Sequence, residues 1–232
     1  MDDSRLVKSV YRIRREKAGK RISDWCTEVH RTLTSIGLGH IWDTEKVGSE
    51  NDWKSLIKAS IQAREEKEWI TEMRKLPKLR TYQQLKFVLE REEYLETISD
   101  SEQRRRVTAL RGGTNSLRIE VGRWKGGSLQ DRTCTLCAKR EIEDEAHVLL
   151  WCSAYARERM ELYRNIQTAT NYDLNSMRGD QKWLLHILIG IGCEQRRKRH
   201  FIQLEVAKFV EVIFRQRTRI LDRDSRARGY RD

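Results

Sequence analysis

Three cysteines and one histidine lie close together in the middle of the chain, in the order Cys134, Cys137, His147 and Cys152. Two residues separate the first two cysteines, nine separate Cys137 from His147, and four separate His147 from Cys152. Two cysteines at this spacing can coordinate one metal ion from a tight turn. A Cys3His set is typical of a closed, tetrahedral structural zinc site. The sequence therefore predicts a bound Zn²⁺ ion that supports the architecture and leaves no position open for a substrate.

The alternative for the same residues is that they are ordinary thiols buried as small hydrophobic groups. Their flanks are charged rather than apolar, which favours the metal. The spacer at 138–146 is longer than that of the short retroviral-type knuckle, so the nucleic-acid role of that knuckle does not follow from the ligands alone. The chain has five cysteines, and Cys26 and Cys193 are predicted to be buried free thiols. This usage predicts a reducing compartment, nuclear or cytoplasmic.

The charge balance is strongly basic, with a formal net charge of +12 at pH 7. Basic residues cluster at 5–21, at 104–106, at 196–199 and from 215 to 228. Each cluster alone is typical of a solvated face or tail. Together they predict RNA or DNA as the partner.

The elements that must position these residues are predicted to be helices, because the chain has one proline, few glycines and apolar residues at helical spacing. The predicted helices are at about 22–36, 51–75, 82–97, 100–111, 143–166, 181–191 and 198–221. Residues 117–121 alternate and predict a short strand beside the cysteines. The fold class is therefore a mainly α, multi-helix domain with an embedded zinc cluster and at most one short strand pair near it.

Changes in composition divide the chain into five predicted regions. These are a basic arm at 1–21, a helical region at 22–112, a zinc-binding module with its following helix at 113–168, a C-terminal helical region at 169–221 and a polar tail at 222–232. No apolar run is long enough to predict a signal peptide or a membrane-spanning helix. The expected protein has no membrane partner.

The sequence contains no motif that predicts catalysis. Glu143, Asp144 and Glu145 lie beside the cluster, but consecutive helical residues point in different directions, so they are predicted to cap the following helix. No Gly-rich phosphate loop, Ser-His-Asp pattern or His-Glu-x-x-His motif is present. The chain is therefore not expected to be an enzyme.

Residues 110–115, 117–120 and 122–124, followed by the four predicted ligands with Glu145, form a run that resembles a known family. The run is similar to the region C-terminal to the polymerase in LINE-type, non-LTR retrotransposon reverse transcriptases of animals, particularly jockey-like elements. Weaker similarity extends over about 22–221. Gly113 is a departure, because the family more often has another small or polar residue there.

The resemblance implies a fragment of a larger enzyme. The family's polymerase, with its paired catalytic aspartates, would lie upstream and is missing, and no nuclease pattern follows Cys152. The region would follow the polymerase thumb and help to hold RNA template or target DNA. It would therefore retain a binding role and lack the chemistry.

The predicted function is thus a non-catalytic, zinc-stabilised nucleic-acid-binding region derived from a reverse transcriptase. The basic residues near the cluster are the predicted phosphate contacts: Arg104, Arg105, Arg106, Arg111, Arg118, Arg123 and Lys125. Trp124 and Trp151 are expected to pack in the core rather than stack on bases. Two alternatives remain: a zinc-stabilised scaffold domain that docks a protein on the apolar helix at 181–191, and a subunit that acts in trans with an upstream polymerase domain.

Overall fold

The computed structural model describes residues 10, 13, 16, 25–44, 48–176, 179–190 and 193–228, and these are mostly helical. The helices are α1 Trp25–Ser35, α2 Gly39–Thr44, α3 Glu50–Arg74, α4 Arg80–Leu85, α5 Tyr94–Thr97, α6 Ser101–Arg111, α7 Arg118–Trp124, α8 Ala156–Thr170, α9 Gln181–Ile189 and α10 Arg196–Arg228. No strand occurs in this part of the chain. The predicted mainly α fold class is confirmed, whereas most of the predicted arm at 1–21 and the last four residues of the predicted tail lie outside the described residues.

The chain divides into two compact units, Met1–Thr71 and Glu72–Asp232. The first unit contains α1, α2 and α3 as far as Thr71. Its small core consists of Cys26, Leu33, Ile36, Leu38, Ile41 and Trp42, against which Val29, Trp53, Ile57 and Ile61 pack. Gly37 ends the turn after α1 with φ +80°, a conformation that glycine adopts without steric cost. The division of the second unit at 168/169 remains a prediction.

The second unit is built around the long helix α10, which packs against α8, α6 and α9. Two of the predicted metal ligands, Cys134 and Cys152, belong to its main core. Five apolar residues of α9 are buried in the same unit, namely Leu184, Leu185, Ile187, Leu188 and Ile189. The alternative in which this helix docks a partner is therefore corrected, because its apolar residues are already buried by the chain's own core. None of the described helices combines the length and the apolar character needed to cross a membrane.

The structure corrects two elements predicted from sequence patterns. The predicted strand at 117–121 lies at the start of α7, because Leu117 is extended at its N-cap and donates its N–H to Oδ1 of Asn115 at 3.0 Å. Five alternating residues were too few to distinguish the two states. The predicted helix at 82–97 breaks after Leu85, where Lys86 is extended and its ammonium group turns inward to Glu92 at 3.2 Å. A buried charge requires such a partner, and this requirement overrides the helical pattern.

Candidate metal centre

The four predicted ligands come together at one point in the second unit. One ligand atom from each of Cys134, Cys137, His147 and Cys152 lies within 4.8 Å of the other three. The Sγ atoms of Cys134 and Cys152 are 3.9 Å apart, and Sγ of Cys137 is 3.5 Å from Nε2 of His147. Cys137 is half-buried and the other three ligands are buried. This Cys3His cluster can hold a metal ion.

A short hairpin supplies the two cysteines of the Cys-x2-Cys pair. Thr133 and Ile142 form an isolated antiparallel bridge, and Cys134 donates its N–H to the carbonyl oxygen of Glu141 at 2.7 Å. The predicted strand pair is thus reduced to a single bridge. Within the turn, the N–H of Leu136 points at Sγ of Cys134, 3.4 Å away, an arrangement that favours a thiolate at that position.

A single turn of π-helix supplies the other two ligands. The turn spans His147–Trp151, begins where Oδ1 of Asp144 accepts the N–H of His147 at 2.8 Å, and closes where Cys152 donates its N–H to the carbonyl oxygen of His147 at 2.7 Å. Residues five apart in an α-helix point about 140° away from each other, since each residue turns by about 100°. A π turn closes after five residues and brings both side chains to the same side. The spacing of His147 and Cys152 is therefore the signal for this turn, which helical periodicity missed.

Two further side chains hold these ligands in place. Nδ1 of His147 lies 3.0 Å from Oε2 of Glu141, so a proton on Nδ1 leaves Nε2 free to ligate a metal. The buried guanidinium group of Arg159 donates to the carbonyl oxygen of Cys152 at 3.1 Å. Glu141 has the role of the carboxylate in a carboxylate–histidine–metal arrangement. Sequence reasoning missed it, because nothing local distinguishes Glu141 from the charged residues around it.

The electrostatics of the cluster follow from the crowding of its donor groups. The hydrogen bond from Cys152 lowers the pKa of the Cys134 thiol, and the same contact raises the pKa of Cys152. Burial lowers the pKa of His147, but its hydrogen bonds to Cys134 and Glu141 outweigh that effect and raise the pKa to about 9. Metal binding displaces these protons, so affinity for a metal ion falls as the pH falls.

The acidic residues beside the cluster have separate structural roles. Asp144 caps the π turn as predicted, whereas Glu143 and Glu145 are fully buried. Glu143 accepts two hydrogen bonds from the guanidinium group of Arg217, at 2.8 and 3.1 Å. Glu145 accepts from Arg80 at 2.6 Å, and further hydrogen bonds come from Thr81 and Asn115. The prediction that all three acids cap the helix that follows them was therefore wrong for Glu143 and Glu145, because a buried carboxylate needs cations and donors around it. Glu143 instead accepts the N–H of Arg118, the first residue of α7, at 2.8 Å.

The predicted phosphate contacts on α6 are mostly engaged within the protein. Arg111 is 3% exposed and lies 2.9 Å from Glu92, so its guanidinium group cannot reach a phosphate on the surface. The expectation for Arg111 is corrected. Arg105 and Arg106 both pair with Glu102 at 2.8 Å. Arg104 donates to the carbonyl oxygen of Ile98 at 2.7 Å.

The predicted contacts on and after α7 differ in how far they are engaged within the protein. Arg118 donates to the carbonyl oxygen of Asp131 at 2.9 Å, Arg123 pairs with buried Glu120 at 2.6 Å, and Lys125 is exposed. Trp124 is 57% exposed, so the expectation that it packs in the core was wrong. The same expectation is confirmed for half-buried Trp151, which packs against the main core.

Comparisons of this chain with protein-family models, with curated proteins and with solved structures found no match. The chemistry of the cluster and of the surface around it is therefore inferred from their own residues.

Proposed function

We propose that this chain is a non-catalytic nucleic-acid-binding module whose fold is stabilised by Zn²⁺ at the Cys3His cluster. A tetrahedral zinc ion with Zn–S bonds of about 2.3 Å and Zn–N bonds of about 2.0–2.1 Å separates two sulfur ligands by about 3.8 Å and a sulfur from a nitrogen by about 3.5 Å. The corresponding distances here are 3.9 and 3.5 Å. Three thiolates and an imidazole also favour zinc over magnesium or calcium, which prefer oxygen ligands.

The observation that carries the binding role is a group of cations without acidic partners on the segments that frame the metal centre. They are Arg118, Lys125, Arg132, Lys139 and Arg140. Within the described part of the chain, none of the five forms an ion pair. Lys125, Lys139 and Arg140 are exposed, and Arg118 and Arg132 are half-buried with hydrogen bonds to backbone carbonyl groups.

These cations differ from the other arginines near the cluster. Arg80, Arg123 and Arg217 neutralise the buried carboxylates, so their charge is used inside the protein. The five cations named above keep a positive charge at the surface beside the metal centre. Phosphate oxygens are the groups that such a surface attracts. Of the contacts predicted from sequence, Arg118 and Lys125 belong to this group, and Lys139, Arg140 and Arg132 extend it.

The proposed partner is RNA or DNA. Derivation from the post-polymerase region of a LINE-type reverse transcriptase, and cooperation in trans with an upstream polymerase domain, are parts of the same proposal that rest on the sequence resemblance. The closed ligand set leaves the metal without an open position, which supports a structural rather than a catalytic ion.

The experiment is a salt titration of binding to a labelled single-stranded RNA 20-mer, with the zinc-loaded protein. Each neutralised phosphate on a single strand contributes about 0.7 to the slope of log affinity against log salt. The triple variant Lys125→Gln, Lys139→Gln, Arg140→Gln is therefore expected to reduce that slope by about 2.

The matched control removes the same charge from exposed lysines of α3, with Lys54→Gln, Lys58→Gln and Lys67→Gln. This control is expected to leave the slope nearly unchanged if the cations beside the metal centre make the phosphate contacts. A flat salt response of the unmodified protein, or equal losses in the two triple variants, would overturn the proposal.

A further inference from the structure

We propose that Trp124 is a stacking platform for an unpaired base, so that the nucleic acid bound beside the metal centre is single-stranded. This inference rests on the proposed nucleic-acid-binding function and names its substrate class. Trp124 is 57% exposed at the C-terminal end of α7. Burying such a surface normally stabilises a protein, and its exposure leaves a large aromatic face available to a partner.

Trp124 is the last residue of α7, and the backbone after it forms a hydrogen-bonded helix end. Gly126 has φ +69° and donates its N–H to the carbonyl oxygen of Arg123 at 3.2 Å, and Gly127 donates to that of Gly122 at 2.9 Å. These two bonds form a Schellman motif, which ends a helix with a left-handed glycine. The indole is therefore carried by a hydrogen-bonded helix end rather than by an irregular loop.

Arg132 ties this helix end to the metal-binding hairpin. Its guanidinium group donates to the carbonyl oxygens of Gly127 at 2.7 Å and Ile119 at 3.2 Å, and its own carbonyl oxygen accepts the N–H of Glu143 at 2.9 Å. Its aliphatic stem occupies the space that a side chain at position 122 would need, since a Cβ on Gly122 would lie 2.6 Å from Cγ of Arg132. The platform and the metal centre thus belong to one packed assembly.

The charges around Trp124 suit a nucleic-acid backbone. Exposed Lys125 follows Trp124 directly, whereas Arg123, whose guanidinium carbon lies 6.0 Å from the indole ring centroid, has its charge paired with buried Glu120. The stretch at 124–131 contains one acidic residue, Asp131. Its carboxylate accepts a hydrogen bond from the hydroxyl group of Ser128 at 2.6 Å. An aromatic surface beside cations is the arrangement with which proteins bind single strands, through stacked bases and neutralised phosphates.

Stacking on Trp124 selects against duplexes. Both faces of a base inside a duplex are covered by its neighbours, whereas a base in a single strand can turn out and lie on an indole. A second apolar residue, Leu129 in the segment that follows α7, is also exposed, at 53%. A protein partner for the same surface is the competing outcome of the test.

The test compares the affinities of the zinc-loaded full chain for a fluorescein-labelled single-stranded RNA 20-mer and for its blunt duplex, measured by anisotropy. Trp124→Ala is expected to weaken single-strand binding by about 5- to 150-fold, the range found when one stacked base loses its aromatic partner. Trp124→Tyr should restore most of the affinity, because it keeps an aromatic face. Duplex affinity should change by less than about twofold, since phosphate contacts carry it.

Met160→Ala on α8 is the matched control, because Met160 is a large apolar residue that is 67% exposed in the same unit. Zinc content and helicity of every variant confirm that the fold is intact. If the unmodified protein binds neither probe, the proposed function itself fails. If it binds and Trp124→Ala retains full affinity for the single strand, only the stacking inference fails, and the surface is left for a protein partner. Equal weakening for strand and duplex would also overturn the inference.

Discussion

The contact between Nδ1 of His147 and Glu141, at 3.0 Å, determines which imidazole nitrogen faces the three sulfur atoms. Glu141→Ala removes the acceptor that orients the ring and holds the proton on Nδ1. We expect zinc affinity to fall by about 10- to 100-fold, the usual effect of losing such a partner. Competition with a chromophoric chelator measures it, with Glu161→Ala on the exposed side of α8 as the control. An affinity within about twofold of the unmodified protein would contradict the role given to Glu141.

At the scale of residues, the sequence predicted the metal ligands and missed their support. Cys134 and Cys137 are predictable because a pair at that spacing has few other uses. Glu141 is not, because its role depends on the hairpin that brings it back to His147. Arg111 was misassigned for a related reason: only the fold shows that its guanidinium group is buried and paired with Glu92.

At the scale of elements, the turn between α6 and α7 depends on the absence of a side chain at Gly113. Its φ is +63°, and an added Cβ would lie 2.0 Å from the backbone carbonyl oxygen of Lys78. Gly126 is the matched control, with φ +69° and open space around the same position. Both alanine variants incur about 1–2 kcal/mol for the left-handed backbone, and Gly113→Ala is expected to lose roughly 1–3 kcal/mol more because the backbone must move. Urea unfolding measures the difference, and equal stabilities would contradict the predicted clash.

The pair between Glu143 and Arg217 fixes α10 to the segment that joins the hairpin to the π turn. Both side chains are buried, and their hydrogen bonds are 2.8 and 3.1 Å long. Arg217→Met leaves the Glu143 carboxylate buried without its cation, and we expect a loss of about 3–5 kcal/mol in the free energy of unfolding. Arg219→Met, an exposed change two residues further along, should stay within about 0.5 kcal/mol. The prediction fails if the two variants unfold at the same urea concentration.

Secondary-structure elements, like single residues, could be predicted where the local sequence determines them. They could not be predicted where buried partners or metal ligands determine them. The bounds of α6 follow from apolar spacing and a cap, because Asp100 accepts the N–H of Gln103 at 2.8 Å. The end of α10 was predicted wrongly: the helix continues to Arg228, through the first seven residues of the predicted polar tail at 222–232. The break after Leu85 and the π turn could not be predicted by periodicity. The first depends on the ion pair between buried Lys86 and Glu92, six residues further along the chain, and the second on the geometry that two metal ligands require.

At the scale of the whole molecule, the two compact units should respond differently to removal of the metal. Cys134 and Cys152 are part of the main core of the unit Glu72–Asp232, whereas the core of Met1–Thr71 consists of other residues around Trp42. Structural zinc contributes about 10–16 kcal/mol in small fingers, which is comparable to the total stability of a domain, about 5–15 kcal/mol. The loss of zinc should therefore unfold much of the second unit.

Hydrogen exchange of the full chain, followed by mass spectrometry with and without a chelator, tests this expectation segment by segment. Amide protection should be lost from 132–170 and from the α10 residues packed against α8, because their shared core includes the ligands. Protection in 25–44 should persist, because that segment packs in the core of the first unit. Chelator saturated with zinc beforehand is the control for effects unrelated to the metal. Unchanged protection in 132–170 after zinc has been removed would show that the second core is stable without the ion, and the cluster would then lose its structural role.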